Sequence, residues 1–303
     1  MSRYIKYLVL LILLSACADD SEISPASGIE TNEDPAIDED IIIDALIDDS
    51  DLSILPKDEG GEHMALPLGK TTAYFGHYIY LPEGYSEQGP EYPLLLFLHG
   101  SGERADSEAN PVHLQKVLTF GPPNMILLGQ WNPSYPFIVV SPQLLPGNYW
   151  KPSQIHKFIE YLLRTYQINP SRIYLTGLSL GGGGCWYYAG EIDDHYAAAI
   201  VPIAASGNPN LVENLKKVPI WAFHGAKDET VLAFDNYGSQ PLVELINAAD
   251  PLIPAKVTIY PDTGHNSWTK TYSGKGMFEG RFPYDQYNMD IFDWMLQYRR
   301  KEP

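Results

Sequence analysis

The stretch Thr176-Gly177-Leu178-Ser179-Leu180-Gly181 constrains this chain more than any other. It sets G-x-S-x-G between a strand-like run, Arg172 to Thr176, and a glycine-rich run that reads as a helix. A serine so placed occupies a strained turn that pushes its Oγ out at the carboxyl end of a sheet. Small residues two positions to either side let the strand and helix backbones approach. Gly182, Gly183 and Gly184 are read as extending that close approach. The rival reading, a phosphate-binding turn, lacks G-x-x-x-x-G-K-[ST], and no lysine follows the glycines.

The surrounding pattern alternates between strands and helices. Thr71 to Leu81 is rich in β-branched and aromatic residues and ends at Pro82-Glu83-Gly84, so it is predicted to be a strand closed by a turn. The apolar runs Pro93 to Leu98 and Phe137 to Val140 suit strands buried on both faces. Ser153 to Tyr166 carries Ile155, Phe158, Ile159, Leu162 and Leu163 at helical spacing. After the serine turn come an apolar run Ala197 to Ala204, a short helix near Leu211 and a strand Pro219 to Phe223. A helical stretch Phe234 to Ala248, a strand Ala255 to Tyr260 and a last helix Tyr284 to Tyr298 complete the series. Such alternation predicts a mostly parallel sheet with helices on both faces.

A serine hydroxyl is a poor nucleophile near neutral pH and needs a base held in turn by a carboxylate. Behind a strand-turn-helix serine the chain order is Ser, Asp or Glu, then His. The strand Pro219 to Phe223 runs into His224-Gly225-Ala226-Lys227-Asp228, and Lys256 to Tyr260 into Pro261-Asp262-Thr263-Gly264-His265. Ser179 as nucleophile, Asp228 as orienting carboxylate and His265 as base would therefore meet at one sheet edge. Glu229 and Asp235 compete with Asp228, which is preferred because it follows the strand end so closely. His224 competes with His265 and is read as a buried strand-end histidine with a structural hydrogen bond.

Acyl transfer also needs two N–H donors for the developing oxyanion. The backbone N–H of Leu180 supplies one. The loop His99-Gly100-Ser101-Gly102 after Leu98 supplies the other, assigned to Ser101. Gln143, at a strand mouth, is read as a hydrogen-bond donor to substrate and Trp268 as a pocket wall, with the remaining site aromatics Tyr149, Trp150, Trp186, Tyr187 and Tyr272 read mainly as core. Cys185 is read as packed against the sheet rather than as a thiol nucleophile. His77, His113, His156 and His195 lack metal-ligand spacing, so neither metal nor cofactor is expected.

The ends of the chain carry a second message. Arg3 and Lys6 precede an apolar run, Tyr7 to Leu14, and Ser15-Ala16 stand before Cys17, as in a secretory leader. Leu14-Ser15-Ala16-Cys17 resembles a bacterial lipobox, which implies that residues 1–16 are removed and Cys17 is acylated. The acidic pair Asp19-Asp20 is similar to the surface-export signal of Bacteroidetes lipoproteins. Together these imply a cell-envelope protein, anchored in the outer membrane by lipid and facing outward. With Cys17 acylated, Cys185 has no intrachain partner, so no disulfide supports the fold.

The net charge of −18 is concentrated: residues 18–66 hold 16 acidic residues against one basic residue, Lys57, whereas 67–303 hold 22 acidic and 17 basic. Residues 17–66 are thus predicted to be a solvated tether and 67–303 the catalytic domain. The apolar patch Ile41 to Ile47 within the tether is left open, as a short docking helix or otherwise. No basic face with aromatic platforms exists to bind nucleic acid.

Taken together, Leu98-His99-Gly100-Ser101-Gly102-Glu103-Arg104, Ser141-Pro142-Gln143, Gly177-Leu178-Ser179-Leu180-Gly181-Gly182, His224-Gly225-Ala226-Lys227-Asp228 and Gly264-His265-Asn266-Ser267-Trp268 resemble the secreted esterases of carbohydrate esterase family one. The group it resembles, bacterial secreted esterases related to that family, includes feruloyl and acetyl-xylan esterases, polyhydroxybutyrate depolymerase-like proteins and prolyl-oligopeptidase-like hydrolases. The resemblance implies an α/β-hydrolase fold, the triad Ser179, Asp228 and His265, and an oxyanion loop ordered by Glu103 and Arg104. The resemblance is loose about substrate; with no large insertion between the core strands to form a lid, an open, shallow cleft suited to an ester carried on a polysaccharide is expected. The alternatives are a prolyl-oligopeptidase-like peptidase, a lipid esterase, or a glycan-binding protein on a decayed hydrolase; oligomeric state is not legible.

Overall fold

The computed structural model describes residues 41–43 and 49–300, all within one unit, Glu39–Pro303. The leader, Cys17 and most of the acidic segment lie outside the described residues. Ten strands occur among the described residues: β1 (Ile41–Ile43), β2 (Glu62–Leu66), β3 (His77–Leu81), β4 (Tyr92–Leu98), β5 (Ile138–Pro142), β6 (Ile168–Leu178), β7 (Ala197–Ile203), β8 (Trp221–Gly225), β9 (Lys256–Tyr260) and β10 (Tyr298–Arg300). The α-helices are α1 (Ser50–Ser53), α2 (Gly121–Leu127), α3 (Pro152–Thr165), α4 (Leu180–Glu191), α5 (Val212–Leu215), α6 (Ser239–Ala248), α7 (Trp268–Tyr272) and α8 (Ile291–Leu296).

Eight strands form one sheet in the order β2-β3-β5-β4-β6-β7-β8-β9. The β2–β3 and β3–β5 pairs are antiparallel, and every pairing from β5 through β9 is parallel. Strands β4 and β7 are buried at every residue, as expected where helices cover both faces of a parallel sheet. Helix α3 buries Ile155, Phe158, Ile159 and Leu162, one stripe at helical spacing. Helix α4 instead buries most of its circumference, because it is wedged between the sheet and its neighbours. The parallel strands β4, β6, β7, β8 and β9 all point the same way. The loops after Leu98, Leu178, Ile203, Gly225 and Tyr260 therefore gather at one edge.

Three sequence expectations are corrected. The predicted strand over Thr71 to Leu81 begins only at His77. Thr71 Oγ1 accepts a hydrogen bond from the Ala73 N–H at 3.1 Å, a local turn that takes a donor away from any ladder. The last helix starts at Ile291 rather than near Tyr284, because the Asp290 side chain caps it by accepting from Phe292 N at 2.8 Å. It gives way to β10, which pairs with β1.

The third correction concerns the acidic segment. Residues 49–66 are part of the folded domain, not of a tether: Leu52 and Leu55 enter the main core, and β2 joins the large sheet. The pinning contact is ionic. Arg172, only 2% exposed, donates from Nε and a terminal nitrogen to the two carboxylate oxygens of Asp51, at 2.5 and 2.7 Å. Net charge alone misjudged this stretch because a negative residue there balances a buried cation. Removing one partner leaves the other charge buried and uncompensated. Asp51→Ala is thus expected to cost about 3 kcal/mol, the low end for such pairs because Asp51 is part exposed. In a thermal melt that corresponds to a midpoint lower by roughly 6–12 °C; an unchanged midpoint would return residues 49–53 to the tether.

Candidate active site

Ser179 stands alone between β6 and α4 with φ 51° and ψ −116°, a left-handed backbone that a non-glycine residue adopts only when its surroundings enforce it. Two hydrogen bonds hold it, from Ser179 N to Ile203 O at 2.9 Å and from Gly183 N to Ser179 O at 3.0 Å. The flanking glycines are sterically required. A Cβ on Gly177 would come within 2.6 Å of the Gly181 backbone, and one on Gly181 would collide with the Leu98 carbonyl oxygen.

The Ser179 Oγ lies 2.9 Å from His265 Nε2, and His265 Nδ1 lies 2.7 Å from Asp228 Oδ2. An ionised carboxylate only accepts, so Nδ1 carries the imidazole proton and Nε2 presents a lone pair to the serine hydroxyl. Asp228 itself is held from four directions. Its Oδ1 accepts from Thr230 N and Val231 N, both at 2.9 Å, and its Oδ2 also meets His224 Nε2 at 3.1 Å. Burial opposes its ionisation, but the bonds from His224, His265 and the Val231 and Thr230 amides outweigh it and hold the carboxyl well below the usual aspartate range. The rivals Glu229 and Asp235 are both exposed.

His224 is fully buried, as its strand-end position suggested, and it also touches the candidate triad. Its Nε2 faces two acceptors, Asp228 Oδ2 and Val231 O at 2.9 Å, so it donates there. Its Nδ1 sits 2.9 Å from Ser239 Oγ. The pairing with Asp228 escaped sequence reasoning, although the i,i+4 spacing in His224-Gly225-Ala226-Lys227-Asp228 was visible.

The two proposed oxyanion donors share a structural property. Ser101 is the first residue of a 3₁₀ turn, Ser101–Glu103, and Leu180 is the first residue of α4. An N–H at that position has no acceptor within its own helical element. Both residues border the same cavity as Ser179, about 480 Å³ in volume. The loop that carries Ser101 is tied down by His99. Leu144 N donates to His99 Nε2 at 3.0 Å, so the His99 proton is on Nδ1, which reaches the Gly100 carbonyl at 2.6 Å. Burial lowers the His99 pKa to about 4, keeping the ring neutral in that tautomer. Trp150 Nε1 donates to His99 O at 3.0 Å. Arg104 turns its guanidinium to carbonyls, Ser101 O at 3.0 Å and Asn148 O at 3.1 Å, and bridges two loops at the cavity rim.

Two substrate contacts expected from sequence are corrected. Gln143 is buried, and its Nε2 is committed to Glu103 O at 3.2 Å and His113 O at 2.8 Å, so it pins the loop that carries Ser101 and has no amide hydrogen aimed at the cavity. Trp268 packs edge-on against the His265 ring, centroids 5.1 Å apart, and against Phe120, while the cavity wall is made by other residues. Its place three residues after His265 put it against the imidazole. The aromatic residues that do border the cavity are Tyr149, Trp150 and Tyr187. Tyr187 was legible in principle: Ser179, Gly183, Tyr187 and Glu191 recur every four residues and all line the cavity. Cys185 is fully buried, and burial pushes its thiol far above the ordinary range, so it supplies no thiolate.

A scan of the chain against protein-family models finds no match. Among curated proteins it is similar to a bifunctional acetylxylan esterase/xylanase of Neocallimastix patriciarum, with 27% identity over 51% of this chain and 21% of that protein. It is also similar to an esterase of Mycobacterium tuberculosis, with 30% identity over 48% of this chain and 31% of that protein. The chain thus spans between a fifth and a third of the length of these relatives. Among solved structures, a thermostable esterase superposes with a TM-score of 0.56 at 25% identity, covering 79% of this chain and 63% of the other.

Proposed function

On the α/β-hydrolase fold that this chain adopts, we propose a serine carboxylic-ester hydrolase that removes acyl or feruloyl groups from polysaccharide through an acyl-Ser179 intermediate. The observation that carries the reading is the continuous relay Ser179 Oγ, His265 and Asp228 beside the helix-initial amides of Ser101 and Leu180. The esterases similar to this chain support ester hydrolysis, and the acetylxylan esterase among them supports a polysaccharide-borne ester.

The chemistry follows from the proton inventory. Ser179 Oγ attacks the ester carbonyl carbon as its proton passes to His265 Nε2, and the Ser101 and Leu180 N–H groups hold the oxyanion. Collapse breaks the bond to the alcohol oxygen, which takes the proton from His265. Water then adds to the acyl carbon, giving a proton to His265. Release of the acid returns that proton to Ser179. Asp228 stays ionised throughout and stabilises the imidazolium that forms at each attack.

A fluorophosphonate probe is expected to label Ser179 in wild type and to leave Ser179→Ala unlabelled. Matched ester and amide substrates are expected to show a strong ester preference. A folded protein that resists the probe points to a binding protein instead, and a marked amide preference points to a peptidase. Screening acetylated and feruloylated xylan fragments against simple acyl esters identifies the acyl group. His99→Ala releases the Gly100 carbonyl and the loop bearing Ser101. It is expected to lower kcat by roughly 10–100-fold with little change in KM, part of the effect of losing one oxyanion donor; a change confined to KM would remove His99 from that task.

Localisation belongs to the same proposal: acylated Cys17 would hold the enzyme at the cell envelope. Its support is the sequence alone. No helix among the described residues is long and apolar enough to cross a membrane.

A further inference from the structure

Four consecutive glycines, Gly181 to Gly184, follow Leu180 in the first turns of α4, and three of them have a steric reason. Besides Gly181, a Cβ on Gly182 would lie 2.6 Å from Ala205 Cβ, and one on Gly184 2.8 Å from Trp150 Cβ. Gly183 is different, against the expectation that all four serve close packing. A Cβ there meets only Ser206 O, at 3.7 Å, an ordinary van der Waals distance. Alanine would fit, and inside a helix alanine is favoured over glycine. The fold therefore does not require glycine at this position.

The open side of Gly183 faces the cavity beside the nucleophile, which it lines together with Ser206. Residues four apart stack along one face of a helix, so Gly183 lies between Ser179 one turn before and Tyr187 one turn after. With no side chain at 183, the floor runs clear from the serine to the Tyr187 ring. Tyr187 and Tyr149, 36% and 64% exposed, flank that floor with aromatic surface. The ester's two halves are told apart by the proton route. The departing alcohol must stand at His265 Nε2, whereas the cavity extends from Ser179 along α4, past Gly183 to Tyr187 and Glu191. The cavity thus takes the acyl half.

We infer that Gly183 is a specificity-determining residue, kept bare so that an acyl group as large as an aromatic ring can lie between Ser179 and Tyr187. The inference rests on the esterase reading above. It is tested with wild type, Gly183→Ala and Gly183→Leu on 4-nitrophenyl acetate and 4-nitrophenyl benzoate, which share a leaving group and differ in acyl bulk. The benzoate-to-acetate ratio of kcat/KM is expected to fall at least 100-fold in Gly183→Leu and by a smaller factor in Gly183→Ala. The ratio does not depend on how much of a preparation is folded. Gly183→Ala is also expected to melt about 2–4 °C higher than wild type.

An unchanged ratio in Gly183→Leu overturns the inference. A lower melting point for Gly183→Ala would restore a packing reason for the glycine and overturn it as well. Wild type inert to both esters and to the fluorophosphonate defeats the esterase reading itself, which sets that failure apart from a failure confined to Gly183.

Discussion

Replacing Ser179 with alanine is expected to reduce turnover of a short-chain nitrophenyl ester by roughly 10⁶-fold, since removing the nucleophile of a relay of this type costs about as much as removing the whole relay. What remains is the effect of the oxyanion amides and of binding. The backbone explains why the loss should not be one of folding. Ser179 is held at φ 51° by the hydrogen bonds to Ile203 and Gly183, both main-chain, so alanine keeps every one of them. The strained conformation costs roughly 1–3 kcal/mol for any residue with a Cβ. A glycine at 179 should accordingly melt higher than either serine or alanine, while being equally inactive. Full turnover by Ser179→Ala would end the proposal.

The second large effect is expected at Asp228. Asparagine is isosteric but offers an amide N–H where the carboxylate accepted. It can therefore turn the His265 ring to the tautomer whose Nε2 is protonated and cannot take the serine proton. A drop in kcat of roughly 10⁴-fold is expected with KM nearly unchanged. Stability supplies an independent readout with a definite sign. The folded-state pKa of Asp228 is depressed, so the stabilisation its ionisation brings is complete above the unfolded aspartate pKa of about 3.9 and is lost as pH falls below it. The melting temperature of Asp228→Asn should thus lie below wild type at pH 7, and the gap should narrow on acidification toward pH 3. A gap that widened in acid, or a variant with wild-type turnover, would remove Asp228 from the relay.

His224 deserves separation from His265 in such experiments, because both imidazoles meet the same Asp228 oxygen. Only His265 reaches Ser179. The two histidines were rivals in the sequence because His224 stands at the end of one strand and His265 just beyond the end of another, and no local pattern distinguishes a ring that faces inward from one that faces the cleft.

Much of the fold was legible because its signals are local. Continuous apolar runs mark β4, β5, β7 and β8, the periodic stripe of Ile155, Phe158, Ile159 and Leu162 marks α3, and the serine flanked by glycines marks the turn into α4. The order Ser179, Asp228, His265 was legible too, since each residue lies in the turn or loop that follows a strand of one parallel sheet and those strand ends must share an edge.

Other features depend on neighbours distant in the chain, and only the tertiary structure decided them. Asp51 looked like one more charge in an acidic run until Arg172, from a strand more than a hundred residues on, was placed against it. Gln143 and Trp268 sat at suggestive positions, yet one is consumed by the Glu103 and His113 carbonyls and the other packs edge-on against the imidazole. Gly183 reads like its three neighbours in sequence. What distinguishes it is empty space, which depends on where Ser206, Trp150 and Tyr187 come to rest. Propensity and spacing act through the chain's own backbone and can be read along it; steric fit, charge pairing and hydrogen-bond commitment act through space and exist only once the chain has closed on itself.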